Sequence, residues 1–410
     1  MINRLSYVIT ICILLISVFS PGCDKTSVSE EEIAIYYELN KQNCLTMLKP
    51  VMYSDVEDER KELFKIVHIS DAHLSPWSHG NHIKHPYNLK EAVLFANDTA
   101  SRTNAMVATG DHISNGMKTT AREAMSYLTI FSYTLFLNNN IPTFTSTGNH
   151  DANMLNPEHP EYTLSKSDLY SHLTALINYP INSENNENYY YADLPNPLGG
   201  VVRIIALDVT DQENGLYSSQ HNAILSQKQI DWLCHTAMKK DMTERHSVII
   251  LVHHPLPPAD EDEFKGLVYN DFLHDWNMIP EIVEAFRTKQ AISKKYRNKL
   301  NKLDSIAVDV SFADSPGEFV CYLGGHLHTF LHYEIRSSCD TELPNQLMII
   351  ANNMSPSEKS EKSHIERSNT GLRNNTFNLY AIDTKRKVIY VTFFGATSFY
   401  YQQVIALNYL

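Results

Sequence analysis

From residue 64 onward, short apolar runs alternate with stretches of helical periodicity. The runs at 65–69, 105–109, 142–147, 201–207, 247–252 and 319–323 read as buried strands, being short, rich in β-branched residues and bounded by turn residues. The spans 88–99, 119–137 and 226–239 carry apolar positions at three- and four-residue spacing and read as helices. Ser226 and Gln229 open the last of these at capping-box spacing. This alternation predicts an α/β fold in which helices pack against sheets.

The pattern breaks after Pro255. A Pro- and acid-rich loop at 257–263 precedes a helix expected to start at Pro280, because Pro is favoured at the first helical position. That helix is expected to continue through the basic residues Lys294, Lys295, Arg297, Lys299 and Lys302 as a solvated face, with substrate or partner contact as the alternative. The stretches 332–336, 347–351, 377–382 and 388–394 read as a closing set of strands. Between them, 355–376 is polar and reads as an exposed loop. The resulting domain expectation is a leader at 1–22, a tether at 23–61 with a short helix around 33–48, and one domain at 62–396. That domain carries a helical insertion at about 256–316 and is followed by a C-terminal tail at 397–410.

The leader changes the picture of where the chain works. Arg4 gives a positive start, residues 7–19 are mostly apolar, and Pro21-Gly22 precedes Cys23. The run is shorter than the roughly 20 residues a spanning helix needs, so it reads as an export signal. Cys23 stands where exported bacterial lipoproteins are lipidated, so the expected location is the periplasm or cell surface, with membrane attachment through Cys23. Of the six cysteines, Cys44, Cys234, Cys321 and Cys339 lie beyond the leader without CxxC spacing, which argues against a cysteine zinc site. A Cys321–Cys339 bridge is the expected pairing among three. The formal charge is −13, from 34 basic and 47 acidic residues, which disfavours strong nucleic-acid binding.

Histidine, at 19 residues, is abundant. Its distribution is informative, because five apolar strands each end in a short motif. These are Asp71-Ala72-His73, Gly110-Asp111, Gly148-Asn149-His150-Asp151, His253-His254-Pro255 and Gly324-Gly325-His326-Leu327-His328. In α/β sheets ligand sites form at the carboxyl ends of strands, and Asp, Asn and His are side chains that bind divalent metals. One such motif is weak evidence; five in order are strong.

The ordered set resembles the calcineurin-like metallophosphoesterases, whose signature is DxH, GD, GNH[D/E], a His two places before Pro, and GHxH. The resemblance spans roughly residues 64–394. It implies two packed mixed β-sheets flanked by helices and a site for two divalent metal ions. It assigns Asp71, His73 and His328 to one metal, Asn149, His253 and His326 to the other, and Asp111 to both. His150 would face the phosphoryl group, stabilising its oxygens or protonating the leaving oxygen. Asp151 is then either the residue that orients His150 or a helix N-cap. His254 either supports the site, faces substrate, or simply packs beside it.

The implied activity is hydrolysis of phosphate mono- or diesters, with a water between the cations as nucleophile. The implied substrate is a small molecule, nucleotide or lipid headgroup. A sphingomyelinase-like or glycerophosphodiesterase-like lipid enzyme is the second reading, and an inactive metal-bound scaffold the third. Where protein Ser/Thr phosphatases of this family place Asp and Arg, this chain has Ser114 and Asn115. The metal-bound Tyr of purple acid phosphatases would also fall at Ser114, so the expected ions are Mn, Fe or Zn in divalent form. His79, His82 and His85, with Trp77 and Tyr87, either line the cleft or form an exposed loop; His68, inside a strand, is expected to be a packed core histidine.

Overall fold

The computed structural model describes residues 30–52, 62–74, 86–114, 118–154, 158–211, 223, 225–256, 258, 277–297, 305–335, 346–354, 375–396 and 403–409. Its strands in chain order are β1 (Phe64–Ile69), β2 (Ala105–Thr109), β3 (Thr143–Ser146), β4 (Asn182–Ser183), β5 (Tyr190–Pro195), β6 (Val201–Ala206), β7 (His246–Leu251), β8 (Ala291–Arg297), β9 (Ser305–Ser311), β10 (Glu318–Gly324), β11 (Leu331–Ile335), β12 (Gln346–Ile350), β13 (Thr376–Asp383), β14 (Val388–Gly395) and β15 (Ile405–Asn408). The helices are α1 (Glu30–Met52), α2 (Pro86–Asn97), α3 (Ala121–Phe136), α4 (Lys166–His172), α5 (Gln227–Trp232) and α6 (Met278–Thr288).

Two mixed sheets result, as expected. One has the order β15-β14-β13-β1-β2-β3 and the other β11-β12-β10-β7-β6-β5-β4. In the first, β1, β2 and β3 run parallel; in the second, β6, β7, β10 and β12 do. Alternation along each strand builds the layers. On β1, Phe64 and Ile66 join an inter-sheet core with Ile204, Ile249 and Val320. Val67 and Ile69 face the other way, against Phe95, Leu128 and Phe131 of the helices on the outer surface. A third core places α5, α6 and the β8–β9 hairpin on the outer face of the second sheet. His68 is a core histidine, fully buried and hydrogen-bonded to Tyr380 and Thr109.

Several segments differ from the sequence reading. The expected tether contains α1, which is 23 residues long and packs on β14, burying Cys44 and Leu48 and setting Tyr37 against Phe394. Helix α6 ends at Thr288, where Lys289 adopts the left-handed conformation. Lys294, Lys295 and Arg297 therefore lie on β8, not on a helix. Lys294 pairs with Glu281 of α6. Among its described residues the insertion is thus a helix followed by two paired antiparallel strands. The C-terminal tail contributes β15, which closes one edge of the first sheet. Ser226 caps the N–H of Gln229, but the Gln229 side chain does not return to the cap; it bonds Asp208 instead. Cys321 is buried and free, which removes the expected bridge, and Cys339 lies outside the described residues. The histidines at 79, 82 and 85 and most of 355–376 also lie outside them. Among the described residues, no helix is long and apolar enough to cross a membrane.

One contact links α2 to β13 and gives stability a pH dependence. The Asn375 side chain donates to Glu91 Oε2 at 2.8 Å and to the Asn88 carbonyl. Burial pushes the Glu91 carboxyl up to about 7. A raised acid holds its proton in the folded state while the unfolded chain has lost it, so folding stability falls as pH rises from about 4.5 to about 7. Glu91→Gln should therefore match the parent below that window and exceed it above pH 7. Thermal unfolding midpoints across pH 4–8 check this; a gap that does not widen with pH contradicts it.

Candidate metal centre

All five motif loops leave the same end of the two sheets. The loops after β1, β2 and β3 come from the first sheet, and those after β7 and β10 from the second. They are stitched by backbone hydrogen bonds. Asp71 N–H donates to Gly110 O, His73 N–H to Asp111 O at 2.9 Å, and Gly325 N–H to His253 O at 3.0 Å. The approach is so close that side chains are excluded at key points. A Cβ on Gly148 would sit 2.2 Å from the Asp111 nitrogen, and one on Gly325 would sit 1.9 Å from Ser70 Oγ.

Two donor clusters result. Asp71, His73, Asp111 and His328 bring donor atoms within 4.8 Å of one another, and so do His253, His254 and His326. His73 Nε2 lies 2.9 Å from His328 Nε2, and His328 Nε2 lies 3.4 Å from Asp71 Oδ1. His253 Nε2 lies 3.2 Å from both Asn149 Oδ1 and Asp111 Oδ2. Asp111 Oδ2 is also 3.7 Å from His73 Nε2, so this carboxylate joins the clusters.

These spacings suit a metal. Donors bound at ~2.0–2.2 Å around one cation lie roughly 3–3.5 Å apart, and the set is the N/O mixture that divalent ions take. His253 is oriented for the task. Its Nδ1 donates to the Thr109 carbonyl at 2.6 Å, because a carbonyl can only accept, and Nε2 is left facing the centre. Asp71 is held by Ser70 Oγ–H at 2.6 Å and by the His326 N–H.

The electrostatics follow from burial. Desolvation alone would raise the Asp111 carboxyl, but His253, His150 and His73 around it hold it well below the usual range. Desolvation alone would lower His253; Asp111 and Asp71 outweigh it and raise the imidazole to about 9. A cation entering this cluster must therefore displace a proton from His253. Burial holds the His254 and His150 imidazoles below their ordinary value.

A match to the family model described as calcineurin-like phosphoesterase runs over residues 64–330. The chain belongs to this family. Its clustered Asp and His residues are able to hold metal. No curated protein matches the chain. The solved structure of Haemophilus influenzae NAD nucleotidase (NadN) aligns over 78% of this chain and 48% of its own, at 12% identity and a TM-score of 0.32. The chain thus spans about half the length of that enzyme, and a superposition this loose leaves the fold assignment to the family match.

Every motif residue singled out in the sequence is brought to this centre, with two adjustments of role. Asp151 is fully buried and neither orients His150 nor caps a helix. Its Oδ1 accepts the N–H groups of His112 at 2.7 Å and Ile113 at 3.3 Å, and its Oδ2 accepts that of Gly148 at 2.7 Å. Asp151 therefore ties the loop after β2 to the loop after β3. His254 is fully buried, which rules out direct substrate contact. Sequence reasoning missed Asp208 and Thr147. Thr147 Oγ–H donates to Asp208 Oδ1 at 2.5 Å, fixing the residue just before Gly148-Asn149 to the end of β6. A lone Asp after a strand carries no motif, so nothing marked it.

Removing the Asp151 clamp strands three buried N–H groups, each unsatisfied donor costing about 1–3 kcal/mol. Asp151→Ala should destabilise the fold by at least about 3 kcal/mol and weaken metal retention together. Urea unfolding and metal content after dialysis measure the two. A variant as stable as the parent would contradict the clamp.

Proposed function

We propose that the chain hydrolyses phosphate mono- or diesters of a small molecule, nucleotide or lipid headgroup at a two-cation site. The observation that carries this reading is Asp111 Oδ2, which stands 3.2 Å from His253 Nε2 and 3.7 Å from His73 Nε2. A single carboxylate oxygen between two imidazole clusters is what a bridging ligand requires. In this reading Asp71, His73 and His328 hold one divalent ion, and Asn149, His253 and His326 the other. The ions are Mn, Fe or Zn. Bound there, they would stabilise charge on the phosphoryl oxygens and make water a stronger nucleophile near neutral pH.

The chain's own residues do the rest. Asp111 is held in place by the His150 N–H, which donates to its Oδ1 at 2.8 Å. The His150 imidazole borders the same carboxylate, with Nε2 at 3.8 Å, and its side chain is 24% exposed. It thus borders the centre and is open to arriving substrate. It stabilises the phosphoryl oxygens or delivers a proton to the departing oxygen, roles suited to an imidazole. The leader pattern ending at Cys23 supports an extension of this reading: the enzyme works outside the cytoplasm, attached to the membrane through that cysteine.

The expected behaviour separates binding from chemistry. Asp111→Ala should lose both ions and all turnover on bis(p-nitrophenyl) phosphate and p-nitrophenyl phosphate. His150→Ala should keep metal and lose about 10²–10⁴-fold in turnover. Metal analysis joined to a phosphoester panel measures both. Loss of metal in His150→Ala, or no metal-dependent turnover by the parent across the panel, would overturn these assignments.

A further inference from the structure

The motif loops leave the C-terminal ends of β1 and β2. At the opposite end of the same strands, two cationic side chains face one cavity. Lys65 is the second residue of β1, roughly 13 Å of strand away from Ile69. The cavity has a volume of about 310 Å³, and its walls include Glu62, Lys65, Arg102, Thr103, Asn104 and Pro197. Lys65 is 1% exposed, and its ammonium has neither a hydrogen bond nor an ion pair among the described residues. That is unusual, because a lysine is almost never fully buried unless it is paired. Burial, and after it the charge of Arg102, bring the Lys65 ammonium down to about 8. The two like charges therefore feel one another across the same space.

The other groups in the wall favour an anion between them. Arg102 sits in the left-handed region at φ 48°. Its Nη1 pairs with Glu62 Oε1 at 3.1 Å, with side chains 48% and 63% exposed. An ion pair this exposed contributes little and is easily exchanged for another acceptor. Asn104 Oδ1 accepts the Lys65 backbone N–H at 2.8 Å, and the Asn104 N–H donates to the Lys65 carbonyl at 2.9 Å. That pairing fixes the amide, so its NH₂ group is left as a donor on the cavity wall. An ammonium, a guanidinium fork and an amide thus line one cavity, with a single carboxylate at its exposed rim.

We infer that this cavity binds a phosphate group, free or carried by a small organic molecule, between Lys65 and Arg102. A phosphate dianion balances both cations, whereas a carboxylate would balance one. Its oxygens match the planar fork of Arg and also accept from Lys and Asn. The cavity is separate from the metal centre, and the inference does not depend on the two-cation reading.

Arsenate, an anomalous-scattering mimic of phosphate, reads the site directly when soaked into crystals of the full chain. A peak within hydrogen-bond reach of Lys65 Nζ and the Arg102 guanidinium is expected. In solution, thermal unfolding of the full chain is followed with inorganic phosphate or phenylphosphonate, at an ionic strength held constant with chloride. Anion binding at the metal centre is common to the parent and Lys65→Met, so the difference between them isolates the cavity. Without anion, Lys65→Met should melt higher than the parent, since it removes an unpaired buried charge. With anion, the parent should gain in midpoint more than Lys65→Met does. Arg102→Gln, a change at an exposed side chain, should weaken the anion's affinity at least about tenfold. A larger gain with phenylphosphonate than with phosphate assigns the ligand to an organic monoester, and the reverse order to the free ion. Equal anion-dependent gains in the parent and Lys65→Met, or arsenate density confined to the metal centre, would overturn the inference.

Discussion

A buried carboxylate with no compensating charge is among the least tolerable features a protein can hold, since desolvating an ion costs several kcal/mol even after relaxation. Asp111 is such a group. It sits at the end of β2, nearly inaccessible to water, where loops from the two sheets meet. Imidazoles surround it, from His73 after β1, His150 after β3 and His253 after β7. Their placement depends on the register of both sheets and on the inter-sheet core that fixes one sheet against the other. The fold can be read as the means of bringing those strand ends to one carboxylate.

The same constraint explains the residues that hold the loops. Gly110 takes a positive φ of 79°, and a Cβ there would meet the His253 ring at 2.6 Å. Gly148 and Gly325 leave room for Asp111 and Asp71. Asp151, buried behind the centre, turns loop N–H groups inward as donors to its own carboxylate. Asp208, after β6 of the second sheet, accepts the Thr147 hydroxyl. Each is a structural device one layer removed from chemistry, and each acts on where Asn149 or Asp111 can be.

Legibility in the sequence followed the same division. Residues that face the centre sit in short motifs, because a strand end delivers several chemical groups within three to five positions of chain. The five strands that carry them were readable for the related reason that a buried parallel strand is a continuous apolar run. The supporting residues were not. Asp208 and Thr147 meet across 61 positions of sequence. The β8–β9 hairpin was mistaken for helix because Lys294, Lys295 and Arg297 dominate its first strand. Its second strand did carry a period-two signal, with Ile306, Val308 and Val310 buried in alternation. Helix α1 was underestimated because it also exposes Ile35 and Leu39, which blurs the stripe formed by Cys44 and Leu48.

Backbone strain points to how firmly the centre is set. Of the twelve non-glycine residues with positive φ among those described, five are Asp71, His73, Asp111, His326 and His328. Holding a residue in that region costs on the order of 1–3 kcal/mol and persists only where the surroundings enforce it. Here the enforcement is visible in the loop-to-loop hydrogen bonds from Asp71, His73 and Gly325. Those bonds tie the loop after β1 to the loop after β2, and the loop after β10 to the loop after β7, so strain at one strand end is carried by its neighbour and not by that loop alone.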